Sequence, residues 1–161
     1  MEGSIVFRVM KDIEAFKSPI GQFFKLIAEL SEEVYRNLGE GFPEEIYQKA
    51  LQFEMREKGI SFQREVNIEI FYKGIPLGFD RPDFIVRPCQ LSGGKPVVIE
   101  LKAVKKLGEK HITQAKTYLR SLPHASDGEL KDCKHCILIN FPDNNNGSVE
   151  CFLIEREEVE R

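Results

Sequence analysis

The sequence predicts a mixed α/β fold that forms a single domain. Apolar residues recur at helical spacing in three segments, and five other segments have the apolar or alternating pattern of strands. The predicted order is helix, helix, strand, strand, strand, helix, strand, strand, with no internal repeat. This order favours a mixed central sheet with helices on its faces.

The two N-terminal helices are predicted from apolar spacing and from the residues at their ends. From Ile20 to Leu38 apolar residues recur every three or four positions, and the glycines of "GEGF" end this segment. The second helix begins near Pro43, which suits a first helical turn, and runs to about Lys58. Residues 1–18 have no clear pattern, so we expect a loosely attached N-terminal extension and a domain over residues 19–161.

Three strands are predicted to follow the second helix. "REVNIEIFY" alternates apolar and polar residues, "KGIP" turns the chain into a second strand that carries "RPDFIV", and "VVIELKAV" is the third. A helix is then expected from about Gly108 to Leu122, where Pro123 ends it. The apolar runs "CILINF" and "VECFLIE" predict the last two strands.

The composition is that of an ordinary globular protein. With 161 residues, 42% apolar and 30% charged, the chain can bury a core, and its net charge of -3 excludes a uniformly basic nucleic-acid coat. No apolar run is long enough to span a membrane, and the N-terminal segment carries too many charges for a signal peptide. We therefore expect an intracellular protein, cytoplasmic or, in a eukaryote, nuclear, with no membrane partner.

The four cysteines allow two interpretations. Cys133 and Cys136 have metal-ligand spacing, and Cys89 with Cys151 could complete a four-thiolate site. Alternatively, Cys136 and Cys151 begin apolar runs and are small core residues of strands. Because a single C-x-x-C is a weak signal, we favour the core interpretation.

Two charged residues interrupt the apolar strand "VVIELKAV". Glu100 and Lys102 are two residues apart and so point to one face, where an unpartnered charge would be costly. Asp83 lies in the preceding strand, expected to be a neighbour about 5 Å away, and Pro82 weakens the pairing there. Two such carboxylates can share a divalent cation while Lys102 orients or polarises a water, an arrangement typical of metal-dependent hydrolases.

The second helix adds a third carboxylate. On a helical wheel Glu44 falls on the apolar side, between Leu51 and Met55. One arc of the wheel is polar, and apolar residues, Phe53 among them, cover most of the rest; the polar arc is Glu45, Lys49, Gln52 and Arg56. A glutamate is seldom buried without a partner, which favours a functional role for Glu44. Its place in the first helical turn equally favours a capping role.

The third helix carries a polar stripe and basic residues. His111, Gln114 and Tyr118 follow at steps of three and four, which indicates either an extended site or a buried hydrogen-bond network. Basic residues near an acidic metal site would suit a phosphodiester substrate, although the last two of them fit a solvated helix face. These basic residues are Lys102, Lys105, Lys106, Lys110, Lys116 and Arg120.

Together these segments resemble the PD-(D/E)XK nuclease superfamily. "RPD", sixteen residues and then "ELK" match its signature through Pro82-Asp83 and Glu100-Leu101-Lys102. More narrowly, "GFPEEIY" fits the Gly-x-x-Glu-x-x-Tyr pattern of the GxxExxY family through Gly41, Glu44 and Tyr47. "YKG", "VVIELKAVKKL" and "HITQAKTYL" are similar to further segments of that family in the same order, so the resemblance covers roughly residues 25–155.

The resemblance implies a restriction-endonuclease-like core and a metal-dependent nuclease that hydrolyses phosphodiester bonds, with DNA favoured over RNA. It implies that Asp83, Glu100 and Glu44 hold Mg²⁺ or Mn²⁺, and that Lys102 positions the attacking water or stabilises the developing charge. Gln114 and Tyr118 resemble a glutamine-tyrosine motif that supports the site in related nucleases. The candidates for nucleic-acid contact are Lys105, Lys106, Lys110 and His111.

Three alternatives stay open on the sequence. Asp80 is a second candidate for the position assigned to Asp83, although we favour Asp83. The chain could instead be an inactive member of the nuclease fold that binds nucleic acid or another protein. The oligomeric state is open as well, and a homodimer is one of the options.

Overall fold

A six-stranded mixed sheet forms the centre of the computed structural model, which describes residues 4–11, 16–144 and 147–159. Its strands are β1 (Ser4–Met10), β2 (Phe62–Arg64), β5 (Phe84–Val86), β6 (Val97–Lys102), β7 (His135–Asn140) and β8 (Glu150–Val159). A separate two-stranded hairpin consists of β3 (Ile68–Tyr72) and β4 (Ile75–Asp80). The helices are α1 (Pro19–Leu38), α2 (Glu44–Glu57) and α3 (Glu109–Ser121).

The strand order of the main sheet is β1-β8-β7-β6-β5-β2. β6 and β7 run parallel, and the other neighbouring strands are antiparallel. In the pair β5–β6, Phe84 lies opposite Ile99, as expected for two strands joined by a hairpin-like loop. Continuing this register by one residue brings Asp83 to Glu100.

The two faces of the sheet bury separate apolar cores. Ile99 and Leu101 of β6 pack with α1 and α2, whereas Val98 packs with α3. Because side chains alternate along a strand, Glu100 and Lys102 lie on the α3 face with Val98. The predicted helices are confirmed to within one or two residues at each end. Among the described residues, none of the helices is both long and apolar enough to cross a membrane.

Tyr47 fixes the start of α2, where Glu44 is located. Its buried ring stacks on Phe141, with 4.6 Å between ring centroids and 6° between planes. Its hydroxyl donates a hydrogen bond of 2.7 Å to the carbonyl oxygen of Gly39, the C-cap residue that follows α1. Gly39 has a φ of 74°, a backbone conformation that glycine adopts without a side-chain clash. The α1–α2 turn is therefore tied directly to the core.

The prediction of a single strand running from "KGIP" through "RPDFIV" is wrong. This segment forms two strands in different sheets: β4 pairs with β3, and β5 pairs with β6 and β2. Arg81, Pro82 and Asp83 separate them, because proline has no N–H to continue a ladder. The strand predicted over "REVNIEIFY" is likewise shorter, since only Ile68–Tyr72 pairs in the hairpin and Tyr72 is exposed.

The predicted N-terminal extension contains a strand of the main sheet. β1 pairs antiparallel with β8 along its full length, from Ser4 opposite Val159 to Met10 opposite Leu153. Residues 4–10 are therefore not loosely attached, contrary to the expectation from their sequence. Residues 1–3 and 12–15 of the predicted extension lie outside the described residues.

Three of the four cysteines lie in or against the apolar cores. Cys133 and Cys136 are fully buried in the α3-side core, and Cys151 is partly buried against the opposite core. All four, including the half-buried Cys89, are free thiols. The core interpretation is thus confirmed for Cys136, and the sheet separates Cys133 and Cys136 from Cys151.

Asn140 holds the segment that follows β6. Its fully buried amide accepts a hydrogen bond from the N–H of Val104 and donates one to the carbonyl oxygen of the same residue, both 2.9 Å long. It also donates to Oε1 of Glu150 at 3.1 Å. This side chain therefore adds to the backbone pairing beyond Lys102, where the N–H of Asp143 donates to the carbonyl oxygen of Val104 at 3.1 Å.

We expect Asn140→Leu to lower the free energy of unfolding by about 1–3 kcal/mol, because it leaves the N–H of Val104 without a partner, whereas the carbonyl oxygen of Val104 still accepts from the N–H of Asp143. Urea unfolding followed by circular dichroism measures this change. Asn67→Ala is the control, since the Asn67 amide is exposed and accepts a hydrogen bond from the exposed Arg81, and it should change stability by less than about 0.5 kcal/mol. Equal effects of the two substitutions would contradict this role of Asn140.

Candidate active site

Asp83 and Glu100 contact each other where β5 begins. The backbone N–H of Asp83 donates to Oε1 of Glu100 at 2.9 Å, and the N–H of Leu101 donates to Oδ2 of Asp83 at 2.7 Å. Each carboxylate thus binds the backbone of the other strand. This pairing is possible because the ladder of β5 starts only at Phe84, after Pro82.

Glu100 has two further partners on the α3 face. The hydroxyl of Tyr118 donates to its Oε2 at 2.6 Å, and Nζ of Lys102 lies 3.8 Å from the same oxygen. The Glu100 residue is only 4% exposed, whereas Lys102 is half-buried and reaches the surface. The sequence prediction that Glu100 and Lys102 share one face is confirmed by this contact.

Gln48 links the third predicted carboxylate to this pair. Its Nε2 donates to Oδ1 of Asp83 at 2.9 Å and to Oε1 of Glu44 at 3.2 Å, and its Oε1 accepts from Nη2 of Arg64 at 3.0 Å. Sequence reasoning missed Gln48 and Arg64. The available signal was the four-residue spacing from Glu44, which places Gln48 one turn further along the same side of α2.

The comparison with known families agrees with this geometry. Residues 21–151 match the family model described as the PD-(D/E)XK nuclease superfamily. The chain belongs to this superfamily. A search of curated protein sequences gave no significant match. The mixed sheet with its flanking helices is a restriction-endonuclease-like fold, as the sequence predicted.

The three carboxylates of this superfamily member are held in a poorly hydrated environment. Burial raises the pKa of Glu100 to about 8, and the nearby charge of Asp83 contributes to the rise. Burial also raises the pKa of Asp83, although the hydrogen bond from the N–H of Leu101 acts in the opposite direction. Burial raises the pKa of Glu44 as well, and the negative charge of Asp83 raises it further. Burial and Glu100 raise the pKa of Tyr118, so its hydroxyl stays protonated and remains a donor. The cluster therefore favours added positive charge, whether a proton or a cation.

These residues fit a divalent cation by their chemistry. Nucleases of this superfamily typically use divalent metals, and the carboxylate oxygens of Asp83, Glu100 and Glu44 are the ligand type that Mg²⁺ and Mn²⁺ prefer. Within the described ranges, no group of three or more His, Cys, Asp or Glu side chains is placed so that it could hold a metal ion. Mg²⁺ commonly takes one or two carboxylates and completes its shell with water and substrate phosphates, which is compatible with this arrangement.

We expect the metal-free protein to become less stable as the pH rises from about 4.5 to about 8. Because the pKa of Glu100 is raised in the fold, the folded protein keeps a proton that the unfolded chain has already released in this window. Folded molecules therefore bind more protons, and the free energy of unfolding falls with pH, by an amount on the order of 1–3 kcal/mol.

Urea unfolding in EDTA at pH 5.5, 7.0 and 8.5 measures this dependence. Glu100→Gln, which has no titrating carboxyl, should show a flatter profile over the same range. Parallel profiles of wild type and Glu100→Gln would contradict the raised pKa of Glu100.

A cleft of about 520 Å³ opens beside Lys102 and runs along α3. Its lining residues are Asp80, Lys102, Lys110, His111, Thr113, Gln114 and Thr117. Of the predicted polar stripe, His111 and Gln114 line this cleft, whereas Tyr118 contacts Glu100. His111 accepts a hydrogen bond from the N–H of Gly108 at 3.0 Å, and burial together with Lys102 lowers its pKa.

The predicted basic contact residues are divided between two clefts. Lys110 and His111 line the cleft beside Lys102, whereas Lys105 and Lys106 line a second cleft of about 340 Å³ together with Lys11. The two aspartates that the sequence offered as alternative metal ligands lie in different places in the structure. Asp80 lines the first cleft at the end of β4, while Asp83 contacts Glu100.

Proposed function

We propose that this protein is a metal-dependent nuclease that hydrolyses phosphodiester bonds of nucleic acid, with DNA as the favoured substrate. The contact between Asp83 and Glu100, with Lys102 on the same face, is the observation that supports it most strongly. Membership of the nuclease superfamily adds independent support. We also assign the chain to the GxxExxY family, on Gly41, Glu44 and Tyr47.

In this proposal Asp83 and Glu100 hold Mg²⁺ or Mn²⁺, and Glu44 is an additional ligand. When bound, the ion would activate a water for in-line attack and neutralise charge on the phosphate and the leaving oxygen. Tyr118 fixes the orientation of the Glu100 carboxylate through its 2.6 Å hydrogen bond. Lys102 directs its ammonium group toward the same carboxylate, where it can orient the water or stabilise charge that develops on the phosphate.

The cleft along α3 supports a polyanionic substrate. Lys102 and Lys110 give it positive charge, and the neutral polar side chains of Gln114 and His111 provide hydrogen-bonding groups. Phosphate contacts of this kind position a nucleic acid without reading its sequence. Lys105 and Lys106 would contact the backbone further away, at the second cleft.

A cleavage assay tests the proposed function. Purified protein is incubated with single-stranded, duplex and branched DNA and with RNA, in Mg²⁺, in Mn²⁺ and in EDTA. We expect cleavage in either metal and none in EDTA, with at least one DNA substrate cut faster than RNA. Binding of nucleic acid with no cleavage of any substrate in either metal would contradict the proposal and favour an inactive member of the fold.

A further inference from the structure

We infer that Gln48 is a positioning residue that sets the spacing of the Glu44 and Asp83 carboxylates, and that Arg64 fixes the orientation of its amide. The inference deepens the proposed function and rests on it, because the two carboxylates are proposed metal ligands. Gln48 on α2 and Arg64 on β2 both lie outside the superfamily signature of Asp83, Glu100 and Lys102.

The Gln48 amide lies between the two carboxylates. Its single NH₂ group donates to Asp83 at 2.9 Å and to Glu44 at 3.2 Å, so each of its two hydrogens serves one carboxylate. Gln48 is 8% exposed, so water has little access to replace it. A glutamine in this place keeps two mutually repelling groups at a fixed separation.

The neutrality of Gln48 matters for an ion site. A lysine or arginine in the same place would form ion pairs with Asp83 and Glu44 and would oppose a cation by charge repulsion. An amide provides donors without adding a charge, so the negative potential of the carboxylates stays available to a cation. Gln48 therefore orders the carboxylates and leaves their net charge unchanged.

Arg64 determines which end of the amide faces the carboxylates. Its Nη2 donates to Oε1 of Gln48 at 3.0 Å, and a rotation of the amide by 180° would break this bond and turn Oε1 toward two negative groups. The guanidinium lies over the ring of Phe84, 5.6 Å from its centroid, and Arg64 is paired with the same residue in the β2–β5 ladder. The orientation of Gln48 is thus tied to the strand that begins beside Asp83.

Hydrogen bonding of its own side chain does not fully explain where Arg64 is placed. Its Nε is buried and has no hydrogen-bond partner among the described residues, which is unfavourable for folding. The contact of Nη2 with Gln48 is the hydrogen bond that this placement provides toward the site.

Gln52 provides a matched control on the same helix. It lies one turn beyond Gln48 and is partly buried, but its amide oxygen in the favoured orientation accepts from the surface residue Arg56. Methionine has about the volume of glutamine and good helix propensity, and it has no strong donor. Gln48→Met and Gln52→Met therefore remove the same group at two positions of α2.

The test is isothermal titration of MnCl₂ into the substrate-free protein. We expect Gln48→Met to weaken Mn²⁺ binding by about tenfold or more, as loss of an outer-shell partner of a metal ligand commonly does. Gln52→Met should stay within about twofold of wild type, since it touches neither carboxylate. Mn²⁺ binding by Gln48→Met within twofold of wild type would overturn the inference.

Arg64→Lys keeps the inference testable if Gln48→Met does not fold, as judged by circular dichroism. It keeps the positive charge that acts on Asp83 but removes the guanidinium group that holds Oε1 of Gln48, so Mn²⁺ binding should weaken by about threefold or more as the amide rotates. Unchanged binding by Arg64→Lys would overturn the inference in that case. Absence of Mn²⁺ binding by wild type would instead overturn the proposed function, whereas wild-type binding with unchanged variants overturns the role of Gln48 alone.

Discussion

Glu100→Gln should remove Mn²⁺-dependent cleavage and also stabilise the metal-free protein at pH 8.5. Loss of a direct metal ligand should reduce activity by more than the roughly 10–100-fold expected for an outer-shell partner. The stabilisation follows because Glu100 is buried beside Asp83, which raises its pKa, so its ionised form is unfavourable in the fold. A glutamine keeps the shape of the side chain. Its oxygen can accept from the N–H of Asp83, and its NH₂ can donate to the hydroxyl oxygen of Tyr118.

Cleavage rates in Mn²⁺ and thermal unfolding in EDTA measure the two effects. Glu45→Gln is the matched control, because Glu45 is an exposed carboxylate of α2 whose ion pair is with Lys49. That control should cleave at the wild-type rate. A Glu100→Gln protein that is folded and fully active would refute the assignment of Glu100, and one that is destabilised at pH 8.5 would refute the electrostatic argument.

Lys102→Met should slow cleavage by about 100–1,000-fold while Mn²⁺ binding is kept, a loss similar to that caused by removing a preorganised charge-stabilising group. Lys102 lies 3.8 Å from Oε2 of Glu100, so its removal deletes a positive charge next to a proposed ligand. Mn²⁺ affinity should therefore stay the same or increase. Slower cleavage with Mn²⁺ affinity kept would show that Lys102 acts in the chemical step and does not hold the ion.

Single-turnover cleavage and Mn²⁺ titration of the same preparation measure both quantities. Lys116→Met is the control, since Lys116 is a lysine of α3 whose ammonium lies over the ring of Phe7, away from the cleft. Its cleavage rate should stay within about threefold of wild type, as for most surface substitutions away from a site. A Lys102→Met protein that cleaves as fast as wild type, or that loses Mn²⁺ binding, would contradict the role given to Lys102.

The relation of Asp83, Glu100 and Lys102 could be predicted because it depends on local geometry. Two residues that are two positions apart in a strand point to the same face of the sheet. A proline beside Asp83 interrupts the hydrogen-bond ladder, because it has no N–H to donate. Both rules apply whatever the rest of the fold is. The structure brings these three side chains together as that reasoning expects, although their catalytic roles stay predictions.

The division of residues 75–86 between two sheets could not be predicted in the same way. An alternating or apolar pattern indicates a strand, but it does not tell which strand will be the neighbour. In the structure β4 pairs only with β3, and large apolar side chains such as Leu77 remain 65% exposed. β1 escaped prediction for a related reason, since an edge strand with exposed apolar residues such as Ile5 has no strict alternation.

The apolar pattern of α2 does not predict the burial of two residues. Phe53, one of the apolar residues outside the polar arc, is 60% exposed, while the polar residue Gln48, which the helical wheel did not single out, is buried. Hydrophobic periodicity ranks residues by polarity, so it cannot identify a buried amide whose partners come from distant segments. Those partners, Asp83 and Arg64, are 35 and 16 residues away in the chain.

The proposed function requires that the carboxylates of Asp83 and Glu100 bind one divalent cation together. A crystal structure of the wild-type protein with Mn²⁺, with the ion located from its anomalous scattering, is the decisive experiment. We expect one Mn²⁺ peak within bonding distance of an oxygen of Asp83 and an oxygen of Glu100. A Mn²⁺ ion bound elsewhere with these two carboxylates still paired only to protein groups would contradict it.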